Sequence, residues 1–218
     1  MNSKNILVID VGGTHVKLLA TGQQTKREFD SGPDMTPDVM MAQVKSLTSD
    51  WQYDVVTIGF PAPVRDGKPA IEPHNLGSGW VGFDFEKAVG RPVRVLNDAA
   101  MQALGDYHGG RMLFLGFGTG LGSALIVDNV LAPLELGHLP YRKGHTYEDY
   151  VGLRGLERMG KKKWRRHVEK VTALFRAAFE VDDIVLGGGN AKQLKAPAPG
   201  TRLADNNNAF LGGFQYWD

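Results

Sequence analysis

Three times in this chain a short apolar run empties into glycine. Ile6-Leu7-Val8-Ile9 leads into Asp10-Val11-Gly12-Gly13-Thr14, Met112 to Phe117 into Gly118-Thr119-Gly120-Leu121-Gly122-Ser123, and Ile184-Val185-Leu186 into Gly187-Gly188-Gly189-Asn190. Short apolar runs bounded by turn residues predict buried strands. Adjacent glycines let the backbone turn tightly and bring its N–H groups close to an oxyanion. Any one such turn is equally a plain hairpin, with Asp10 as a turn residue. Three of them, each at the C-terminal end of a strand, predict an open α/β sheet with a ligand site at the strand ends. The second turn lacks the spacing and the following helix of a dinucleotide fingerprint, and no Gly-Lys-Ser/Thr of a Walker loop occurs.

The rest of the chain fits the same plan. Val16 to Ala20 returns from the first turn as a second strand. Thr36-Pro37 signals a helix start, and Met40, Val44 and Leu47 follow at helical spacing. Val55 to Phe60 predicts a strand, Asp84 caps a short helix that stops at Gly90, and Val93 to Leu96 predicts a strand running into Asn97-Asp98. A helix over Ala99 to Tyr107 precedes a strand pair, Met112–Phe117 and Ser123–Val127. Trp164, Val168, Val171, Phe175 and Ala178 define one side of an amphipathic helix, and Ile184 to Leu186 reads as the last strand. Strand, glycine turn, strand, helix, strand occurs twice. The expectation is an α/β protein of two similar lobes, residues 1–108 and 109–218, with an interlobe active-site cleft.

Composition removes several classes of function. Lys plus Arg is 25 against 24 for Asp plus Glu, so the net charge of +1 gives no global attraction to nucleic acid or to a membrane surface. With no cysteine, neither a disulfide framework nor a thiolate zinc site is possible. No apolar run approaches the roughly 18 residues of a membrane span, and the N-terminal residues do not read as a signal peptide. The expectation is a cytoplasmic protein without nucleic-acid or membrane partners.

The three glycine segments, written Asp10-x-Gly-Gly-Thr, Gly118-Thr-Gly-x-Gly and Gly187-Gly-Gly, resemble the phosphate 1, phosphate 2 and adenosine motifs of the actin-like (ribonuclease H-like) sugar kinases. Gly59-Phe60-Pro61, Asn75 with Gly79-Trp80, Leu96-Asn97-Asp98-Ala99, Glu135-Leu136-Gly137-His138-Leu139 and Leu186 to Asn190 follow in family order. On these the chain resembles the ROK family (repressors, open reading frames and kinases), and within it the polyphosphate glucokinases. The resemblance implies a hexose kinase, glucose being the foremost acceptor, that works with Mg²⁺ and polyphosphate or ATP as donor, and forms a homodimer. It implies sugar contacts by Asn75, Asn97, Asp98, Glu135, His138 and Glu148. It implies donor contacts by Gly12, Gly13, Thr14, Lys17, Gly118, Thr119, Gly120, Gly187, Gly188 and Gly189, and Mg²⁺ at Asp10. The chain departs from the family pattern in lacking the zinc-binding cysteines, so His138 is not expected to ligate zinc. Ala62 replaces a usual glycine, and the stretch after Asn208 is shorter than the helix with which the family returns to its first lobe. With nothing resembling a DNA-binding region before Ile6, the repressor branch is not expected.

The chemistry of Asp98 supports this independently. A hydroxyl attacks phosphorus well only if a carboxylate within hydrogen-bond reach takes its proton. Asp98 lies between a strand end and a helix start, where the helix dipole favours the ionised form; the plainer alternative is that it merely caps the helix. Glu135 and His138, three apart, share a face only if that stretch is helical. A second class of function, a sugar-binding protein without turnover, keeps the same residues. Lys161, Lys162, Lys163, Arg165, Arg166 and Lys170 lie off the apolar face of the amphipathic helix, either as a solvated face or as a track for a polyanion.

Overall fold

The computed structural model describes residues 4–197, 199–205 and 207–217. The first elements are β1 (Ile6–Val11), β2 (His15–Ala20), β3 (Arg27–Asp30), α1 (Pro37–Leu47) and β4 (Val55–Phe60). A small hairpin, β5 (Val64–Arg65) and β6 (Lys68–Pro69), precedes α2 (Phe85–Val89), β7 (Val93–Asn97) and α3 (Asp98–Asp106). Then come β8 (Arg111–Phe117), β9 (Leu121–Val127), β10 (Val130–Leu134), the pair β11 (Pro140–Arg142) and β12 (His145–Thr146), α4 (Glu148–Val151) and α5 (Leu153–Phe179). The last are β13 (Asp183–Gly187), β14 (Thr201–Leu203) and α6 (Asn208–Gln215). Among the described residues no helix is long and apolar enough to cross a membrane.

The chain divides into two compact units. One holds the residues up to Gly105 together with those from Ala209 onward, and the other holds Asp106–Asn208. Each carries a five-stranded sheet of one design: β3-β2-β1-β4-β7 in the first and β10-β9-β8-β13-β14 in the second. In both, the first three strands are antiparallel and the inner strand pairs in parallel with the next, which pairs in parallel with the last. The repeated sequence plan is therefore a repeated sheet.

Local chemistry sets the helix ends. The Thr36 hydroxyl accepts from Val39 N with Pro37 at the first helical position, and Asp84 accepts from Lys87 N before α2 stops at Gly90 in the left-handed conformation. Helix α1 buries Met40, Met41 and Val44 against Leu7, Ile9, Ile58 and Trp80. In the second unit α5 buries Trp164, Val168, Val171 and Phe175 against Leu113, Leu115, Ile184 and Leu186. Ala178, expected on this face, is exposed, and Thr172 is buried in its neighbourhood instead. The helix starts earlier than the pattern predicts and is interrupted at Gly160, whose φ of 73° lies outside helical space.

Ile184–Leu186 is not the last strand, since β14 pairs in parallel beyond it. The chain then forms a short helix, α6, on the first unit, where the expected division ran the second lobe to the C-terminus. Gly212 lies so close to α3 that a Cβ there would stand 1.8 Å from the Met101 carbonyl oxygen. Thr57 Oγ1, buried under β4, donates to Gly213 O at 2.7 Å, and Trp217 Nε1 donates to Thr57 Oγ1 at 2.9 Å. The stretch after Asn208, expected to be shorter than the family's returning helix, forms a helix of 8 residues on the first unit. The helix is brief, and glycines let it sit close.

Candidate active site

In the first unit β1 carries Asp10 opposite Lys17 of β2, and Lys17 Nζ stands 3.7 Å from Asp10 Oδ2. Burial pushes the Asp10 carboxyl up and the Lys17 ammonium pulls it back, leaving it above its ordinary value. The turn between the strands closes with Gly12 N donating to His15 O at 3.0 Å. Ser31 ties it down from outside: its Oγ donates to Gly12 O at 2.5 Å and its N to Thr14 O at 2.9 Å. Thr14 itself is exposed. Gly13 faces Asn75 so closely that a Cβ there would meet Asn75 Cβ at 3.1 Å. The first glycine turn and Asn75, the first expected sugar ligand, are therefore neighbours.

Asn75 is exposed on a loop fixed at both sides. The Glu72 carboxylate accepts from Trp80 N and Val81 N at 3.1 and 3.2 Å. Trp80, fully buried and packed on Phe60, donates from Nε1 to Gly77 O at 2.7 Å. At the β7–α3 junction the capping falls to Asn97, whose Oδ1 accepts from Ala99 N and Ala100 N at 3.0 and 3.3 Å. Its amide reaches Ala62 O at 3.4 Å. Asp98 opens the first turn of α3, with Oδ1 accepting from Ala99 N at 2.7 Å. Asn97 and Asp98 thus share the first N–H groups of α3.

In the second unit the other expected residues cluster. Leu136–His138 forms a single 3₁₀ turn, in which residues three apart eclipse. That places His138 Nδ1 3.9 Å from Glu135 Oε2. Buried Ser123 fixes the start of this turn, since its hydroxyl donates to Leu134 O at 2.8 Å and accepts from Leu136 N at 3.1 Å. Glu135 keeps 46% of its side-chain surface open. Even so, packing around the carboxyl pushes its pKa up; His138 opposes the shift and the charge of Glu148 adds to it. Glu148, at the start of α4, stands against the phosphate 2 turn: a Cβ on Gly120 would meet its Oε2 at 2.5 Å. Its Oε1 lies 3.3 Å from Arg154, which also reaches Asp149 at 3.1 Å.

The second and third glycine segments touch as well. Gly188, with φ of 81°, packs on the end of β8, where a Cβ would stand 2.6 Å from the backbone N and O of Phe117. Gly187 ends β13 in the interior, and a side chain at Gly189 would meet open space. Thr119 is exposed at the tip of its turn. Ser123, Arg154 and Asn190 were not among the expected site residues. Ser123 and Asn190 act through the backbone atoms they reach and Arg154 through the Glu148 and Asp149 carboxylates, and residue type alone shows neither.

Two sheets of one order, each with a glycine turn between two of its antiparallel strands, make up the actin-like fold. The chain belongs to the ROK family, whose profile matches residues 6–155. It is 28% identical over 214 aligned positions to the polyphosphate glucokinase of Mycobacterium tuberculosis, covering 85% of this chain and 77% of the relative. Its fold is similar to that of an inorganic polyphosphate/ATP-glucomannokinase from Arthrobacter sp. strain KM, with TM-score 0.81, 24% identity and 98% of each chain covered. A ROK family glucokinase from Streptomyces griseus, solved with glucose and AMPPNP, superposes with TM-score 0.73 at 15% identity, over 97% of this chain and 98% of that one.

Proposed function

We propose that this protein transfers a phosphoryl group from polyphosphate or ATP to a hexose hydroxyl, converting glucose to glucose 6-phosphate. The observation that carries the reading is Glu148 standing against Gly120 of the Gly118–Gly120 turn, with the Glu135–His138 turn packed beside Glu148 through Gly137. Acceptors and donors for sugar hydroxyls there adjoin a backbone cradle for phosphate. Asp98 takes the proton of the attacking hydroxyl as the new oxygen–phosphorus bond forms and the bond to the donor's leaving phosphate breaks. Asn97, Asn75, Glu135, His138 and Glu148 hold the sugar; Gly12, Gly13, Thr14, Lys17 and the Gly118 and Gly187 turns face the donor.

Asp10 fits a magnesium ion carried on the donor's phosphates, since such an ion needs only one or two carboxylates. Among the described residues no group of three or more acidic or histidine side chains stands ready to hold a metal alone. When bound, the ion would offset charge on the phosphates, and Lys17 shares that task. A cytoplasmic homodimer is the accompanying expectation, in keeping with a chain free of cysteine.

The direct test is a product assay with a panel of hexoses against ATP and long-chain polyphosphate separately. Phosphorylated glucose is expected. Calorimetric sugar binding with no product from any donor would replace the kinase by a sugar-binding protein. Glu148→Ala is expected to raise KM for hexose by roughly 10- to 100-fold, the equivalent of one lost charged hydrogen bond. Part of the loss appears in kcat, because distant binding energy also orients the reacting end. An unchanged KM removes Glu148 from the sugar site.

The donor preference rests on α5. Lys161, Lys162, Lys163, Arg166 and Lys170 are exposed, opposite the buried Trp164–Phe175 stripe. Arg165 is drawn off, its Nε donating to Gln193 O at 2.6 Å. A long polyanion lying along such a row releases counterions, which ATP cannot match. Neutralising Lys162, Arg166 and Lys170 together is expected to raise KM for long polyphosphate, flatten its salt dependence and leave KM for ATP nearly unmoved. Equal effects on both donors count against the track.

A further inference from the structure

The carbonyl of Gly118 is doubly held. Asn190 Nδ2 donates to it at 2.9 Å and Leu153 N at 3.1 Å. A carbonyl oxygen has two lone pairs and cannot donate, so both are engaged and the Asn190 amide must present its nitrogen. Leu153 N also donates to Thr119 O at 3.1 Å. In a planar trans peptide the N–H points opposite to the C=O of the same unit. With the Gly118 and Thr119 carbonyls turned toward Asn190 and Leu153, the N–H groups of Thr119 and Gly120 are aimed the other way. Two successive N–H groups so directed form an anion-binding concavity.

Asn190 is itself anchored. Its backbone N donates to Phe117 O at 2.9 Å, and Gly188 packs on the Phe117 backbone with no room for a Cβ. The third glycine segment is therefore built onto the second, with the Asn190 side chain as the tie.

We infer that Asn190 is a positioning residue for the donor's phosphate chain: by clamping the Gly118 carbonyl it aims the Thr119 and Gly120 N–H groups at a phosphate oxygen. The Gly187–Asn190 segment then serves a phosphate donor whether or not that donor carries a base. A chain that uses polyphosphate has a reason to keep it. The inference rests on the reading of Gly118–Gly120 as a phosphate cradle.

The test measures binding of inorganic tripolyphosphate, AMPPNP and glucose by calorimetry to the full chain and to Asn190→Leu, which keeps the side-chain size and loses the amide. Both phosphate probes are expected to weaken by the same factor, about five- to tenfold for one lost hydrogen bond, with glucose binding unchanged. Asn190→Gln, which retains an amide, is expected to restore part of the loss. Asn190→Ala serves in the same way if the leucine variant does not fold. A loss confined to AMPPNP makes Asn190 a contact to the base and overturns the inference. So does an equal loss for glucose, which marks a general structural role, and so does no change for either probe. If the unaltered protein binds neither phosphate probe, it is the cradle reading itself that fails.

Discussion

Asp98→Asn is expected to lower kcat by about 10²- to 10⁴-fold, the usual range for loss of a general base. The substitution is nearly isosteric and keeps an oxygen to accept from Ala99 N, the 2.7 Å bond that Asp98 makes at the start of α3. The bonds that Asn97 makes to Ala99 N and Ala100 N at the same helix start are untouched. Folding and sugar affinity are therefore expected to survive, and that separates a chemical loss from a structural one. Steady-state kinetics at saturating donor, a melting curve and glucose calorimetry on one preparation decide the matter. If kcat stays above about a third of the original, the proton goes elsewhere, since loss of a general base typically costs about 10²- to 10⁴-fold.

Gly212→Ala carries the largest expected effect on stability. In an isolated helix the change would help by about 1 kcal/mol, because glycine loses more backbone freedom on ordering. Here the added carbon would lie 1.8 Å from Met101 O and 2.8 Å from Gly105 N. Backbone cannot step aside as a side-chain tip can, so α6 must lift from α3. The expected cost is about 3 kcal/mol, the upper end of ordinary overpacking, or a fall in Tm of roughly 6–12 °C for a chain of this size. Leu211→Ala, on the exposed side of the same helix, is the control and is expected to be nearly neutral. Equal melting temperatures for the two variants would mean that α6 does not dock as described.

Much of the architecture was legible because its causes are local. The apolar runs ending in glycine are the central strands, and the Thr36-Pro37 and Asp84 signals mark helix starts that the side chains themselves cap. What escaped notice depends on partners distant in sequence. Arg27–Asp30 reads Arg-Glu-Phe-Asp, too charged to announce a strand, and becomes one at a sheet edge by pairing with β2. Helix α6 contains two glycines that argue against a helix in isolation and are required by its seat on α3 and Val8. The site shows the same division. Gly118-Thr119-Gly120 and Gly187–Asn190 stand out as motifs, and their physical contact follows from the parallel pairing of β8 and β13. The eclipsed geometry of Glu135 and His138 needed the 3₁₀ turn, which no periodicity in Leu136-Gly137-His138 displays.

The seat of α6 also sets an order of events during synthesis. The first unit is assembled from two pieces of chain separated by the whole of the second. Its sheet strands, including β4 with Thr57, leave the ribosome before the second unit, while Gly213 and Trp217, whose groups satisfy the buried Thr57 hydroxyl, leave after it. The second unit, continuous in sequence, has everything it needs before the first is complete. Domains commonly fold from the N-terminus forward as they emerge; here the first unit cannot be completed until residues that follow the second have been made. Until α6 and Trp217 have been made, Thr57 of β4 and the backbone of α3 lack the partners that cover them in the finished unit.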